Sequence, residues 1–228
     1  MKKKGPITAG ELMAQLNKDP KYKAKHKAQL KSQAIAIELY DRAEAPILRD
    51  IKNAGFKLSS LYELHHMIPK KEIVELLVKW LPNINNERVL DAIVRALAAS
   101  KTPFSGTVLS NVFEETTSQS LRWTVANTIA EARPSDISEW VLETFKNVKY
   151  GKSREMLALA VARLVDPQIA NEVLVSMFNE FPGHVSLALA ECGGVSELSF
   201  LKSQKENYKG WIKKEIDKAI KKIATRVR

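Results

Sequence analysis

An apolar helix that recurs along a chain has few ways to bury itself except against further copies, and this constraint governs the 228-residue sequence. Its clearest instance is Lys152 to Pro167, KSREMLALAVARLVDP, a basic start, an Ala- and Leu-rich run and an Asp-Pro turn. Comparable segments end in Leu97, Ile129 and Leu164, which occupy equivalent places 32 and 35 residues apart. A single helix pair cannot cover both its faces, so repetition at this period points to stacked helix pairs. No alternating run of β-branched residues between turns competes, and the expected class is all-α.

The rest of the chain reads in the same terms. Thr8 and Glu11 have capping-box spacing at the head of a short helix ending at Asn17 to Pro20. From Lys21 a long helix is expected to about Asn53, with Ala36, Tyr40, Ala43, Ile47 and Ile51 as its stripe, Pro46 as a kink and Ala54-Gly55 as its stop. A short helix capped by Ser59 or Ser60 follows, ending near Ile68-Pro69. Five pairs then succeed one another: Pro69–Leu81 with Glu87–Ser100, Ser105–Glu115 with Ser118–Ala132, and Ser135–Asn147 with Lys152–Val165. Pro167–Glu180 with Pro182–Cys192, and Val195–Glu206 with Lys209 to about Arg226, complete them. Short connections carrying Pro, Gly, Asn or Ser suit antiparallel neighbours. The expected organisation is a helical extension over residues 1–68 continuous with repeats over 69–228.

The run SREMLALAVARLVDP resembles the HEAT-like repeat of the short bacterial, phycobilisome-lyase-like type through Arg154, Ala160, Ala162, Leu164, Asp166 and Pro167. NERVLDAIVRALAAS is similar through Arg88, Ala92, Ala96, Leu97 and Ala98, and SLALAECGG more loosely through Ala188, Ala190 and Gly193. The resemblance covers about Pro69 to Gly194; Val165 stands where a Gly is frequent, and the second helix of the fourth pair is short. It implies an α-α superhelix of about five pairs that binds a protein partner along its inner surface. A different reading stays open beside it. Some HEAT-like proteins of this size are alkyl-base DNA glycosylases, which implies nucleic-acid binding, although no Asp set among Trp and Arg marks such a site here.

Charge bears on the second reading. The net charge of +10 is concentrated at the ends, +7 over residues 1–31 and +7 over 201–228, leaving −4 between them. A polyanion would meet Lys21, Lys23, Lys25 and Lys27 near the start and Lys213, Lys214, Lys221 and Lys222 near the end. In the first cluster every second residue is basic, and 200° steps spread the charge around the helix. In the last helix Ile212, Ile216, Ala219, Ile220 and Ile223 keep one side apolar, so its lysines also suit a solubilising terminal cap. The basic start Met1 to Pro6 leads into a polar helix instead of a signal-peptide apolar run, and no stretch has the length of a membrane span. The single cysteine, Cys192, excludes an internal disulfide and fits a reducing cytoplasm.

Catalytic chemistry finds little foothold. His65-His66 lacks the i, i+4 spacing and further ligands of a zinc site. Cys192 sits at the C-terminal end of its helix, where nothing lowers a thiol pKa, and reads as a packing residue. Glu114-Glu115 and Asp136 with Glu139 fall at polar helix ends, and no Gly-rich phosphate loop or nucleophile elbow exists. Neither a metal nor a cofactor is expected. Of Trp80, Trp123, Trp140 and Trp211, most suit core filling. Trp123 lies 100° from Leu121 on a helix whose stripe is Leu121, Val125 and Ile129. It should therefore face sideways or outward, and with Arg122 it forms the candidate partner-binding pair.

Overall fold

A computed structural model describes residues 7–228; the basic start at Met1 to Pro6 lies outside the described residues. The chain is 78% helix, with no strand among the described residues. The N-terminal part contains α1 (Ala9–Leu16) and α2 (Pro20–Asn53). Thr8 and Glu11 form the capping box expected at α1, with Glu11 accepting from Thr8 N at 2.9 Å. The second helix runs unbroken through Pro46 and stops before Gly55, whose φ of +91° is one that L side chains rarely adopt. The short helix after it is a 3₁₀ turn, Leu61–His66, headed by Ser60. The buried carboxylate of Glu44 in α2 anchors it, accepting from Ser60 Oγ and Leu61 N at 3.0 Å each.

Ten further helices follow as α3 (Lys71–Trp80), α4 (Glu87–Ala98), α5 (Thr107–Glu115), α6 (Gln119–Ala132), α7 (Ser138–Lys146) and α8 (Leu157–Leu164). The last are α9 (Pro167–Ser176), α10 (Pro182–Cys192), α11 (Val195–Gln204) and α12 (Gly210–Arg226). Asn86 and Ser118 cap α4 and α6 through their side-chain oxygens, and Asp166 caps α9 with Pro167 as its first residue. Helices α4, α6, α8, α10 and α12 pack in consecutive order, each against the next. Each of α3, α5, α7, α9 and α11 packs on the helix that follows it, and α2 closes the row against α3 and α4. One core of fully buried side chains, from Ile47 and Ile51 through Val89, Val125, Val161 and Leu189 to Ile223, runs the length of this row.

Several expected helices begin later than their periodicity suggests: α5 opens at Thr107, not Ser105, and α7 at Ser138, after a 3₁₀ turn from Ser135. Lys71, not Pro69, opens α3, and Pro69 is buried in the turn before it. The helix expected over Lys152–Val165 is the shorter α8, because Val148–Arg154 forms a 3₁₀ stretch interrupted at Gly151 (φ +52°). Arg154, at the end of this stretch, turns inward. Its side chain is 1% exposed; Nη1 donates to the Phe145 carbonyl of α7 at 2.5 Å, Nη2 donates to Glu180, and the guanidinium lies 4.9 Å from the Phe181 ring. Arg122 repeats the device 32 residues earlier: Nε donates to the Phe113 carbonyl of α5 at 3.0 Å, and its guanidinium lies 5.2 Å from Tyr150. In both units an arginine satisfies a late carbonyl of the first helix and stacks on an aromatic ring further along the chain.

Tryptophans lock neighbouring elements in a related way. Trp80 donates its indole N–H to Asp50 of α2 at 3.0 Å, and Trp140 donates to Glu114 at 2.6 Å with its ring edge-on to Phe113. Asp136 serves the neighbouring unit instead of its own helix, accepting from Ser105 Oγ at 2.6 Å and Gly106 N at 2.9 Å.

Candidate partner-binding face

The consecutive row of α4, α6, α8, α10 and α12 presents its uncovered side as one surface. On α6, α8 and α10 the fully buried residues Val125, Val161 and Leu189 mark the side turned to the core. Two residues before each stand Trp123, Leu159 and Leu187. Two residues turn a helix by about 200°, so Trp123 and Leu187 turn away from the core, while Leu159 between them still packs partly against it. Trp123 is 39% exposed, and the two leucines are half-buried. One turn further along stand Asn127, Arg163 and Glu191.

Arg163 ties this surface together. Its guanidinium donates to both carboxylate oxygens of Glu191 at 2.7 and 2.8 Å, to Glu131 at 2.8 Å and to the Ala130 carbonyl at the end of α6 at 2.9 Å. A bidentate fork of this kind fixes position as well as charge. The Arg163 hydrogen bonds hold the Glu191 carboxyl below the usual range against the opposing effect of burial, and they keep Arg163 charged. At the end of the row Arg226 of α12 donates to the Ala190 and Glu191 carbonyls at 3.0 Å and to that of Gly193. On the α4 side Arg95 donates to Asp91 at 2.7 Å and to Thr124 at 3.0 Å, while Thr128 reaches the Val94 carbonyl at 3.0 Å. Arg163 and Arg226 thus pin neighbouring helices at late carbonyls, which lack partners and where the dipole favours cations. The face combines an apolar strip with immobilised charges, the composition of a surface that docks another macromolecule.

The expected site residues are distributed unevenly. Trp123 lies on this face, whereas the guanidinium of its neighbour Arg122 is engaged by Phe113 and Tyr150 within the fold. Lys21, Lys23, Lys25 and Lys27 are exposed on the first half of α2, and Lys214, Lys221 and Lys222 on α12; Lys213 pairs with Glu206 at 2.8 Å. Helix α2 packs on α3 and α4, and α12 on α10 and α11, at the two ends of the row. Leu159, Leu187, Arg163 and Glu191 were not singled out from the sequence. Their signal is the apolar character of α8 and α10 all around, more than one buried side requires.

Reactive groups are engaged elsewhere. No cluster of His, Cys, Asp and Glu suited to a metal ion occurs among the described residues. His65 Nε2 lies 3.1 Å from the Ala92 carbonyl, and His66 is exposed. Half-buried Cys192 donates to Asn171 Oδ1 at 3.0 Å, and burial pushes its thiol up to about 11. His184 lies 3.5 Å from Glu155 and 5.7 Å from the Trp211 ring; burial lowers its pKa while Glu155 opposes the shift. No described helix is long and apolar enough to cross a membrane. No family model, curated protein or solved structure matches the chain, so its HEAT-like resemblance rests on its own residues.

Proposed function

We propose that the chain is a HEAT-like α-solenoid that acts as a scaffold or adaptor, docking a protein partner on the exposed side of its second helices without catalysis. The observation that carries this reading is the exposed Trp123, with half-buried Leu187 two helices along, beside the Arg163–Glu191 bridge. An exposed aromatic anchor next to immobilised charges is the arrangement in which binding energy concentrates at protein interfaces. The recurring Arg122 and Arg154 devices support the solenoid part, since they repeat one local solution at a 32-residue interval. We place the protein in the cytoplasm, a setting that suits its lone thiol.

The test is site-specific photo-cross-linking in extract of the source cells. A photoreactive residue at Trp123 should give one discrete adduct, while the same probe at Glu172, exposed on α9, gives none. Trp123→Glu should abolish co-purification of that partner with the fold intact. Equal labelling from both positions, or none from either, overturns the proposal.

The exposed lysines of α2 favour a second reading, a nucleic-acid-binding module. Duplex titration at low and moderate salt decides it, because phosphate neutralisation imposes a steep negative salt slope. Indifference to DNA and RNA at both salt levels removes this reading.

A further inference from the structure

Helix α2 is covered for only half its length. Tyr40, Glu44, Ile47 and Ile51 are buried against the body. Their alternating four- and three-residue spacing continues backward through Ile37, Gln33 and Leu30, where nothing covers it: Ile37 is 56% and Leu30 52% exposed. On the opposite side Ile35 and Leu39 are 48% and 55% exposed. Of the sixteen exposed large apolar residues among the described residues, seven lie between Ile7 and Leu39, four of them on this uncovered half. The uncovered half is a rod roughly 30 Å long.

The same rod carries Lys21, Lys23, Lys25, Lys27 and Lys31, with no acid until Glu38. Where it leaves the body, Asn86 donates to the Leu39 carbonyl at 3.4 Å, and beside Asn86 a groove of about 390 Å³ opens. Ile84, Leu90 and Val112 line it, together with Glu87 and Glu115. Neither glutamate has a cationic partner among the described residues. Glu115 is moreover the last residue of α5, the end at which the helix dipole disfavours an anion. No residue of the arm lines the groove of its own chain.

We infer that the groove and rod are complementary halves of a two-fold interface between two copies of this chain, formed by crossing their arms antiparallel. Each copy lays Lys21 to Lys31 along Glu38 and Asp41 of the other and directs the tip of its arm to the other's groove, rimmed by Glu87 and Glu115. Parallel arms would set five lysines against five, whereas the antiparallel arrangement brings them to Glu38 and Asp41, on a root that also carries Arg42 and Arg49, and to Glu87 and Glu115 at the groove. Reciprocal exchange closes the assembly at two copies. A polyanion would satisfy the lysines but leave Leu30, Ile35, Ile37 and Leu39 in water. This goes beyond the scaffold reading, which concerns the uncovered side of α6, α8 and α10 and stands or falls separately by the Trp123 cross-link.

The test is sedimentation of the full chain over a concentration series, with amide exchange reporting on residues 20–39. The wild-type chain should dimerise and its arm become protected as concentration rises. Ile35→Glu with Leu39→Glu should weaken association ~100-fold or more through lost apolar burial, leaving the melting of the body unchanged. Two charge-reversed chains separate charge pairing from simple stickiness. One carries Lys21, Lys23, Lys25 and Lys27 changed to Glu, and the other Glu38, Asp41, Glu87 and Glu115 changed to Lys. Each should be monomeric alone, and the mixture should form heterodimers. A wild-type chain that remains monomeric throughout overturns the inference. So does a mixture that fails to associate, or an arm protected only by an added oligonucleotide or by anionic vesicles.

Discussion

Replacing Arg154 tests the structural role assigned to it most directly, because its partners separate by environment. Arg154→Ala leaves the Phe145 carbonyl without its donor in a buried setting, a loss of about 1–3 kcal/mol. Removal of the guanidinium from the Phe181 ring costs about 0.5–2 kcal/mol more. The Glu180 pair contributes less, ~1 kcal/mol at most, since that side chain is 45% exposed and returns to water. Against these stands the relief of no longer desolvating a cation whose Nε has no partner. The net expectation is ~3 kcal/mol of destabilisation, a fall in Tm of roughly 6–12 °C for a chain this long. Arg154→Met restores the volume but not the hydrogen bond, and should cost about half as much. Arg154→Lys should remain well below wild type, because a single ammonium cannot both serve two acceptors and stack as a plane. Arg122→Ala, in a half-buried copy of the device, should cost less than Arg154→Ala. Urea unfolding followed by far-UV circular dichroism measures all four. If Arg154→Ala lay within ~0.5 kcal/mol of wild type, or Arg122→Ala proved the more damaging, the assigned role would be wrong.

Other expectations follow from single contacts. A Cβ at Gly183 would meet the Trp211 ring at 2.2 Å, so Gly183→Ala should expel that indole from the head of α10. Quenching by acrylamide should then rise in a variant retaining Trp211 alone, and unchanged quenching would count against this packing. Acidification should destabilise the fold through Glu191 and Asp136. Arg163 holds Glu191 low, and for Asp136 the bonds from Ser105 and Gly106 together outweigh the upward push of burial. Because folding lowers both values, their contribution is complete above pH 4.5 and is lost as pH falls through the folded values. In Arg163→Gln the Glu191 contribution should shrink, and an acid-unfolding profile identical in shape to wild type would contradict the coupling. Cys192, with its thiol raised by burial to about 11, should react with a disulfide reagent at neutral pH more slowly than free cysteine. Equal rates would refute its protection.

The helices themselves were largely legible, since each depends on residues within a few positions of one another. Thr8 with Glu11, Asn86, Ser118 and Pro182 mark starts that the folded chain keeps. Where the sequence misled, a distant partner intervened. The segment Lys152 to Arg154 has helical periodicity, yet Arg154 finds a carbonyl nine residues upstream and a carboxylate 26 residues downstream, and the helix begins only after it. The candidate face was visible in part. Trp123 emerged from its phase against Leu121, but Arg163 owes its importance to groups 28, 32 and 33 residues away, which no local pattern contains.

Local sequence by itself determined that this chain is a succession of helices, where most of them start, and which side of each is apolar. Tertiary structure alone decided which of those sides are covered. The stripe of α2 keeps the same spacing from Leu30 to Ile51, yet it is buried from Tyr40 onward and open before it. Periodicity specifies the direction in which a side chain points, and burial depends on whether another part of the molecule stands there to exclude water.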